Sequence, residues 1–396
     1  MPFRWLSTHA DQRGGDRRDG ALTVLRSWQA FLALAATIVA GLAPLAAGDA
    51  VSLIELGPAA QLALFMLLLA TAVAGFPERV AFSDGLVVAI GAHLGAWQAL
   101  AVLPGLGGAA GWGFWGLVAA SWLLAWRLVT ILSVAEPASR ILALLLRVVV
   151  PLIFGAWLLF LWEVVVRGAG VPPVLLPAPS AVWAKIATST HILWADFQQT
   201  FLKAVLIGYA IGCLSGFVVA ILADRVPFLK RGLLPVGNLM SALPIVGMAP
   251  IMVMWFGFDW PSKAAVVIIM TFFPMLVNTV AGLAAADAMQ RDLMRTYAAG
   301  YGQTLVKLRL PAALPFIFNA LKINSTLALI AAIVAEFFGT PTVGMGFRIS
   351  TEIGRLATDM VWAEIAVAAL AGSVFYGVMA LIERAVTFWH PSFRTR

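Results

Sequence analysis

Long apolar runs fill most of this chain, and polar residues are confined to the segments between them. A helix needs about 20 apolar residues to cross the hydrocarbon core of a bilayer, which is about 30 Å thick. By this measure the pattern predicts about ten membrane-spanning helices. They lie near residues 29–47, 57–76, 85–104, 113–133, 143–166, 200–222, 232–257, 264–286, 312–338 and 363–384. We therefore expect an all-α polytopic membrane protein embedded in a lipid bilayer.

Composition agrees with a membrane protein and removes several other classes. The chain is 62% hydrophobic and 11% charged, whereas soluble domains are about half apolar and about a quarter charged. Lys and Arg outnumber Asp and Glu by 26 to 19, but in a membrane protein such an excess orients the loops, so we expect no nucleic-acid partner. Cys213 is the single cysteine and the four histidines are scattered. We therefore expect no metal and no other cofactor.

The positions of the basic residues predict the orientation of the helices. Cytoplasmic loops of membrane proteins are enriched in Lys and Arg. If the N-terminus is cytoplasmic, alternate loops on that side contain most of the basic residues, and the opposite side has them mainly near helix ends. The sequence therefore predicts an even number of spans, with the N-terminus and the C-terminus both in the cytoplasm.

Two parts of the chain differ in character. After a polar tail at residues 1–28, we expect an N-terminal extension of about four spans over residues 29–139, with short loops and few polar groups. Six spans with longer connections follow over residues 140–396. We place the boundary in the turn Val134–Arg140.

Polar and helix-breaking residues mark candidate pathway-lining positions in the second part. The run 232–257 contains Pro235, Pro244 and Pro250, and proline bends a membrane helix where a neighbour or a cavity satisfies the freed carbonyls. Ordinary kinked packing and helix-to-helix hydrogen bonding are the alternative. The candidates are Asn238, Ser241, Met248, Asn278, Asn324 and Glu336.

Small residues predict one close helix contact. Gly208, Gly212 and Gly216 follow each other at four-residue intervals, which clears one face of the predicted sixth span. In lipid, such faces are where helices pack.

The segment Asp287–Pro315 is a charged island between two apolar runs, on the predicted cytoplasmic side. Residues 281–303 have a helical pattern, and Gly300 and Gly302 predict a flexible break in it. Pro311 and Pro315 predict the start of the next span. Connections within helical bundles are typically about 2–8 residues long. A loop of this length is therefore either a docking surface or a solvated linker.

Several segments resemble those of a known family. The loop is similar to the cytoplasmic loop of ABC importer permeases, whose pattern is Glu-Ala-Ala, three residues, Gly, and then Leu-Pro about a dozen residues later. Here Asp292 stands at the glutamate, Leu293 and Met294 at the alanines, and Ala298 at the glycine. LLPAPSAVW, PIMVMWFGF, FFPMLVNTVAG and VAEFFGTPTVGMGF add to the resemblance, which covers about residues 140–390 and is strongest for the nitrate, sulfonate and taurine branch.

That resemblance implies a type I importer core of six helices, preceded here by four extra ones, in a bacterial inner membrane. Its partners would be a cytoplasmic ABC ATPase, a periplasmic or lipid-anchored substrate-binding protein and a second permease copy, as a homodimer. The outer loops, including residues 340–354, would meet the binding protein. The loop residues implied in ATPase coupling are Asp292, Leu293, Met294, Arg295, Tyr297, Ala298, Gly300, Leu310 and Pro311.

An ABC permease is not itself an enzyme, and the sequence contains no G-x-x-x-x-G-K-[ST] segment with which to cradle ATP. An ion-driven secondary transporter, an intramembrane enzyme and a structural scaffold are the alternatives. The first predicts inverted repeats and the second a neighbouring nucleophile and base, and neither pattern stands out. The cargo expected from the resemblance is nitrate, a sulfonate, taurine or a vitamin-precursor pyrimidine.

Overall fold

The computed structural model describes residues 27–48, 50–75, 82–133, 135, 139–240, 244–339 and 342–389. Residues 1–26 of the predicted tail at 1–28 and much of the predicted boundary turn at 134–140 lie outside these ranges. In the described residues the helices, in chain order, are α1 Trp28–Leu42, α2 Pro58–Gly75, α3 Phe82–Val102, α4 Trp112–Ser133, α5 Arg140–Gly168, α6 Pro179–Thr188, α7 Thr190–Arg225, α8 Pro227–Met240, α9 Ile245–Phe256, α10 Trp260–Ala284, α11 Ala288–Thr296, α12 Tyr301–Glu336, α13 Met345–Gly354 and α14 Thr358–Val386.

Eight helices of the described chain are long and apolar enough to cross a membrane: α2, α3, α4, α5, α7, α10, α12 and α14. The prediction of an all-α polytopic membrane protein is confirmed. Two predicted spans correspond to shorter apolar helices, α1 and α9. The 15 residues of α1 extend about 22 Å at 1.5 Å per residue, less than the thickness of the hydrocarbon core.

The prediction of one kinked helix over residues 232–257 is wrong. The structure describes two helices there, α8 and α9, and residues 241–243 lie outside the described ranges. Pro244 precedes α9 with an extended backbone, φ −71° and ψ 116°. Because the ring fixes φ and removes the N–H donor, this proline sits before the helix instead of bending it.

The helical pattern predicted over residues 281–303 is divided among three helices, and the first break lies before α11, ahead of the one predicted at Gly300 and Gly302. α10 ends at Ala284, α11 is a separate helix, and α12 begins at Tyr301. Pro311 and Pro315 lie inside α12 and do not begin it, and a π-helical turn at Leu305–Arg309 precedes them. The charged loop is therefore a short helix between two turns.

Contacts along the chain divide it into two compact units, residues 1–181 and 182–396. In the first unit, α1, α2, α3 and α4 pack around a core rich in alanine and leucine, with Phe114 and Trp157 fully or almost fully buried. Trp157 of α5 lies edge-on to His93 and Phe160, with ring centroids 5.6 and 5.0 Å apart. The division by contacts therefore places α5 in the same unit as the first four helices. The family boundary near residue 140 stays a prediction.

In the second unit, α10 lies between α7 and α12, and α14 packs on α12. The predicted small-residue face is confirmed. A Cβ added at Gly208 would lie 2.8 Å from the Ala264 carbonyl oxygen, and one added at Gly216 would lie 2.6 Å from that of Phe272. Backbones approach this closely only where no side chain intervenes, so the glycines set the spacing between α7 and α10.

Candidate functional site

The helix α11 is the most exposed helix of the second unit and has two unlike faces. Its N-terminus is capped by Asp287, whose Oδ1 accepts the Met289 N–H at 2.8 Å, as an Asp at this position commonly does. None of its residues is buried. Met289, Leu293 and Tyr297 follow each other at four-residue spacing, and their side chains are 80%, 55% and 78% exposed. We call these three residues the apolar stripe of α11.

The predicted acidic position lies beside the apolar stripe. Asp292 forms an ion pair with Arg295 at 3.2 Å, and the two side chains are 70% and 82% exposed. An exposed pair of this kind contributes only about 0–1 kcal/mol to stability. Both charges are therefore free to reorganise against a partner.

Ala298 explains why the family pattern has glycine at its position. Its φ is +52°, in the left-handed region. The Ala298 N–H donates to the Arg295 carbonyl at 2.9 Å and the Ala299 N–H to that of Met294 at 3.0 Å, which is the Schellman arrangement that ends a helix. An alanine in this conformation costs about 1–2 kcal/mol that glycine avoids. The backbone at this position therefore favours glycine, the residue that the family pattern has there.

The other loop residues lie in the turn or in α12. Gly300 is the N-cap of α12 with φ −69°, so its backbone does not require glycine. Leu310 and Pro311 are half-buried in α12 beyond the π-helical turn. Met294 is half-buried on the side of α11 away from the stripe.

A buried ionic cluster fixes the base of the loop. The Asp224 carboxylate at the end of α7 accepts hydrogen bonds from both terminal nitrogens of Arg309, each at 2.6 Å, and from Tyr301 Oη at 3.1 Å. Arg309 Nε also donates to the Leu283 carbonyl in α10 at 2.9 Å. The Asp224 and Arg309 side chains are 3% and 16% exposed. We call Asp224, Leu283, Tyr301 and Arg309 the base clamp.

The base clamp joins three membrane-spanning helices, α7, α10 and α12, at the end where α11 lies. Leu283 precedes the cap of α11 by four positions and Tyr301 follows the loop directly. Both ends of the loop are therefore held by the same cluster of contacts. Sequence reasoning missed Asp224 and Arg309 as a pair, although an acidic residue at the end of an apolar run was the available signal.

The structure does not bring most of the candidate pathway-lining residues together in one site. Asn324 is fully buried and donates to the Thr271 carbonyl at 2.8 Å and to Cys213 Sγ at 3.3 Å, so it links α12 to α10 and α7. Asn278 donates to the Pro274 carbonyl of its own helix at 2.8 Å. Met248 is half-buried in α9. The Asn238 side chain and all of Ser241 lie outside the described residues.

Glu336 lies at the opposite end of α12, within a second polar cluster. Its carboxylate accepts from Thr200 Oγ1 and from the Gly346 N–H, both at 2.7 Å. A Cβ added at Gly344 would lie 2.8 Å from the Glu336 carboxylate, so the loop before α13 wraps closely around this side chain. Glu336 therefore holds the start of α13 against α7 and α12.

Asp196 completes this second cluster. It is fully buried and accepts from the Gly344 N–H at 2.6 Å and from Arg348 Nε at 2.8 Å. Burial opposes the charged form of Arg348, but the Asp196 carboxylate outweighs it and raises the pKa of Arg348 above its usual value. The cluster attaches α13 firmly while Ile353 at its far end stays 55% exposed.

Replacing Glu336 with alanine is expected to destabilise the protein by about 1–3 kcal/mol, since the buried Thr200 hydroxyl and Gly346 N–H lose their acceptor. Glu336→Gln keeps an acceptor oxygen and should cost less. Thermal unfolding of the purified protein in detergent measures both variants. An unchanged midpoint for Glu336→Ala would show that the carboxylate does not hold α13.

Comparisons with known proteins place this geometry in a family. Residues 208–388 match the family described as binding-protein-dependent transport system inner membrane component. This match contains the base clamp, α11 and the Glu336 side of the second cluster.

Relatives among known proteins each match about three fifths of this chain. A probable ABC transporter permease protein of Haemophilus influenzae is 28% identical over 242 residues, 61% of this chain and 98% of the relative. A formylaminopyrimidine transport permease protein of Halalkalibacterium halodurans is 28% identical over 239 residues, 60% of this chain and 95% of the relative. A riboflavin transport system permease protein of Chloroflexus aurantiacus is 30% identical over 237 residues, 59% of this chain and 88% of the relative. The chain belongs to the family of binding-protein-dependent transport system inner membrane components, the membrane-embedded permeases of ABC transporters.

Proposed function

We propose that this permease forms half of the translocation pathway of an ATP-driven importer and that α11 is the coupling helix, which docks on a separate ATPase subunit. The observation that carries the proposal is the exposed apolar stripe of α11, whose flanking segments are held by the buried base clamp. An exposed apolar face on a helix with a rigid base suits a docking surface better than it suits a solvated linker.

Energy for transport has to come from outside this chain. The sequence has no glycine-rich loop with the Lys and Ser or Thr that cradle nucleotide phosphates. In the proposal, closure of two ATPase subunits pulls on α11, and the base clamp passes the movement to α7, α10 and α12. Two copies of the permease would then rock between inward-facing and outward-facing states.

The opposite end of the second unit suits the partner that delivers the cargo. Asp196 and Asp224 lie at opposite ends of α7, 28 positions apart, which is roughly 40 Å along a helix. We propose that α13 and its attached loop receive a periplasmic or lipid-anchored binding protein and that the α11 end is cytoplasmic in a bacterial inner membrane. Asn278, Met248 and Asn238 remain proposed pathway-lining residues.

For the cargo we propose a small polar or heterocyclic solute. The names of the relatives refer to formylaminopyrimidine and riboflavin for the two proteins described above, and to taurine for a further permease of Escherichia coli. Specificity in such systems is expected to reside in the binding protein. The first four helices are proposed to form an extension outside the permease domain proper.

Substitutions on α11 test the coupling role. Asp292→Arg, Tyr297→Glu or a bulky residue at Gly300 should reduce uptake about tenfold, because removing one central contact from an interface costs more than about 1 kcal/mol. Insertion into the membrane should not change. Uptake and ATP hydrolysis are measured together in proteoliposomes that contain the permease, its ATPase and its binding protein.

Arg291→Gln is the matched control, because Arg291 lies on the side of α11 away from the apolar stripe. It should transport like the unaltered protein. Full uptake by the Tyr297→Glu and Asp292→Arg variants would show that α11 is not the coupling surface.

A further inference from the structure

A crevice between α4 and α5 in the first unit has no role in the function proposed above. Its deeper part is an apolar cavity of about 380 Å³, lined mainly by aromatic and small side chains. Trp122, Trp126 and Val129 of α4 and Phe154 and Trp157 of α5 form most of its apolar lining. This part has the size and chemistry for a hydrocarbon chain, because its walls are mostly apolar and carry no charged side chain.

The two hydroxyls of the cavity are already engaged. Thr130 Oγ1 donates to the Trp126 carbonyl at 2.9 Å and Ser133 Oγ to the Thr130 carbonyl at 2.9 Å. The hydroxyls of the deeper part are therefore satisfied within α4, and its remaining lining is aromatic and aliphatic. Apolar cavities of this kind exclude water and can bind apolar groups.

The mouth of the crevice is polar and basic. A second cavity of about 540 Å³ shares Ser133 with the first and extends toward the connection between the two helices. Arg147 lines it, beside Ala143, Leu146 and Val150. Leu146, Val150, Phe154 and Trp157 follow each other along one face of α5, so the two cavities form one continuous crevice.

The position of Arg147 calls for an anion. It lies seven residues inside α5, about 10 Å from the start of the helix, and neighbouring apolar side chains such as Leu144 and Val148 are exposed on the surface of the helix. Among the described residues, Arg147 forms no ion pair. A cation at this depth of a membrane is costly unless an anion or water reaches it. Arg140 lies one heptad earlier on the same face and adds a second positive charge.

We propose that the α4–α5 crevice is a binding site for an anionic glycerophospholipid. One acyl chain occupies the tryptophan-lined cavity, and the phosphate lies at the mouth, where Arg147 binds it. Basic pockets between membrane helices bind lipid headgroups by this combination of charge and apolar depth. Guanidinium groups suit phosphate because they donate two parallel hydrogen bonds.

The full-length protein in a mild detergent tests the site. Native mass spectrometry measures the binding of phosphatidylglycerol and of phosphatidylcholine with identical acyl chains. The unaltered protein should bind phosphatidylglycerol about tenfold more tightly, which corresponds to about 1.4 kcal/mol. Equal binding of the two lipids would overturn the proposal.

Two variants separate the headgroup from the acyl chain. Arg147→Gln should lose most of the preference for phosphatidylglycerol, with only a small remainder from Arg140. Because the Arg147 side chain is exposed, the substitution should not disturb folding. Val129→Phe narrows the apolar cavity and should weaken the binding of both lipids. Arg231→Gln in α8, also exposed, is the charge-matched control and should keep the preference. A full preference in Arg147→Gln, or an equal loss in Arg231→Gln, would overturn the proposal.

Discussion

Replacing Asp224 with alanine should destabilise the protein by about 3–5 kcal/mol. The substitution leaves the buried Arg309 guanidinium without its carboxylate, and an unpaired buried charge is far more costly than the pair is stabilising. It also removes the acceptor of Tyr301 Oη. Chemical unfolding of the protein in detergent, followed by the change in helix content, measures this loss.

The ion pair on α11 supplies a matched control. Asp292 and Arg295 are the same residue types as Asp224 and Arg309, but their side chains are 70% and 82% exposed. Asp292→Ala should therefore change stability by no more than about 1 kcal/mol. If Asp224→Ala unfolds at the same denaturant concentration as Asp292→Ala, the base clamp is not a structural centre of the unit.

Replacing Gly212 with alanine should destabilise the contact between α7 and α10 by about 1–3 kcal/mol, the usual cost of overpacking. The added Cβ would lie 2.1 Å from Thr271 Oγ1 and 2.7 Å from the Ile268 carbonyl oxygen. The Thr271 hydroxyl can rotate away from the added Cβ, but the Ile268 carbonyl belongs to the helix backbone and cannot move by itself. The helices must therefore separate, and the Asn324 bond to the Thr271 carbonyl is strained with them.

Gly377→Ala is the control for helix propensity. Gly377 lies inside α14 with open space where a Cβ would be, so alanine there should leave stability unchanged or raise it by about 0.5–1 kcal/mol. Thermal unfolding of the two variants measures the difference. A Gly212→Ala protein as stable as the Gly377→Ala protein would contradict the close packing of α7 against α10.

Hydrophobic pattern was enough to predict the membrane class and most spans, because the length of an apolar run is itself a physical requirement of the bilayer. The glycine spacing predicted the α7 face for a similar reason. Pro244 shows the limit of such reasoning. A proline inside an apolar run can bend a helix or end one, and only the tertiary contacts of α8 and α9 decide between these outcomes.

The loop shows a second limit. Its register against the family pattern placed Ala298 at the glycine position, and the left-handed backbone there gives the reason. The base clamp could not be predicted from the sequence. Asp224 and Arg309 are 85 residues apart, and their pairing depends on how α7 packs against α12. Glu336 was selected for being a carboxylate within an apolar run, but its hydrogen-bond partners on α7 and before α13 could not be predicted from that run.

Site-specific cross-linking tests the central claim most directly, that α11 is the surface on which the ATPase docks. With Cys213 replaced by serine, a single cysteine is placed at Leu293 on the apolar stripe or at Ile353 on α13, two positions that are each 55% exposed. In membranes that contain the assembled transporter, a short bifunctional reagent should link the Leu293 position to the ATPase subunit and leave the Ile353 position unlinked to it. An ATPase cross-link from Ile353, or none from Leu293, would contradict the account.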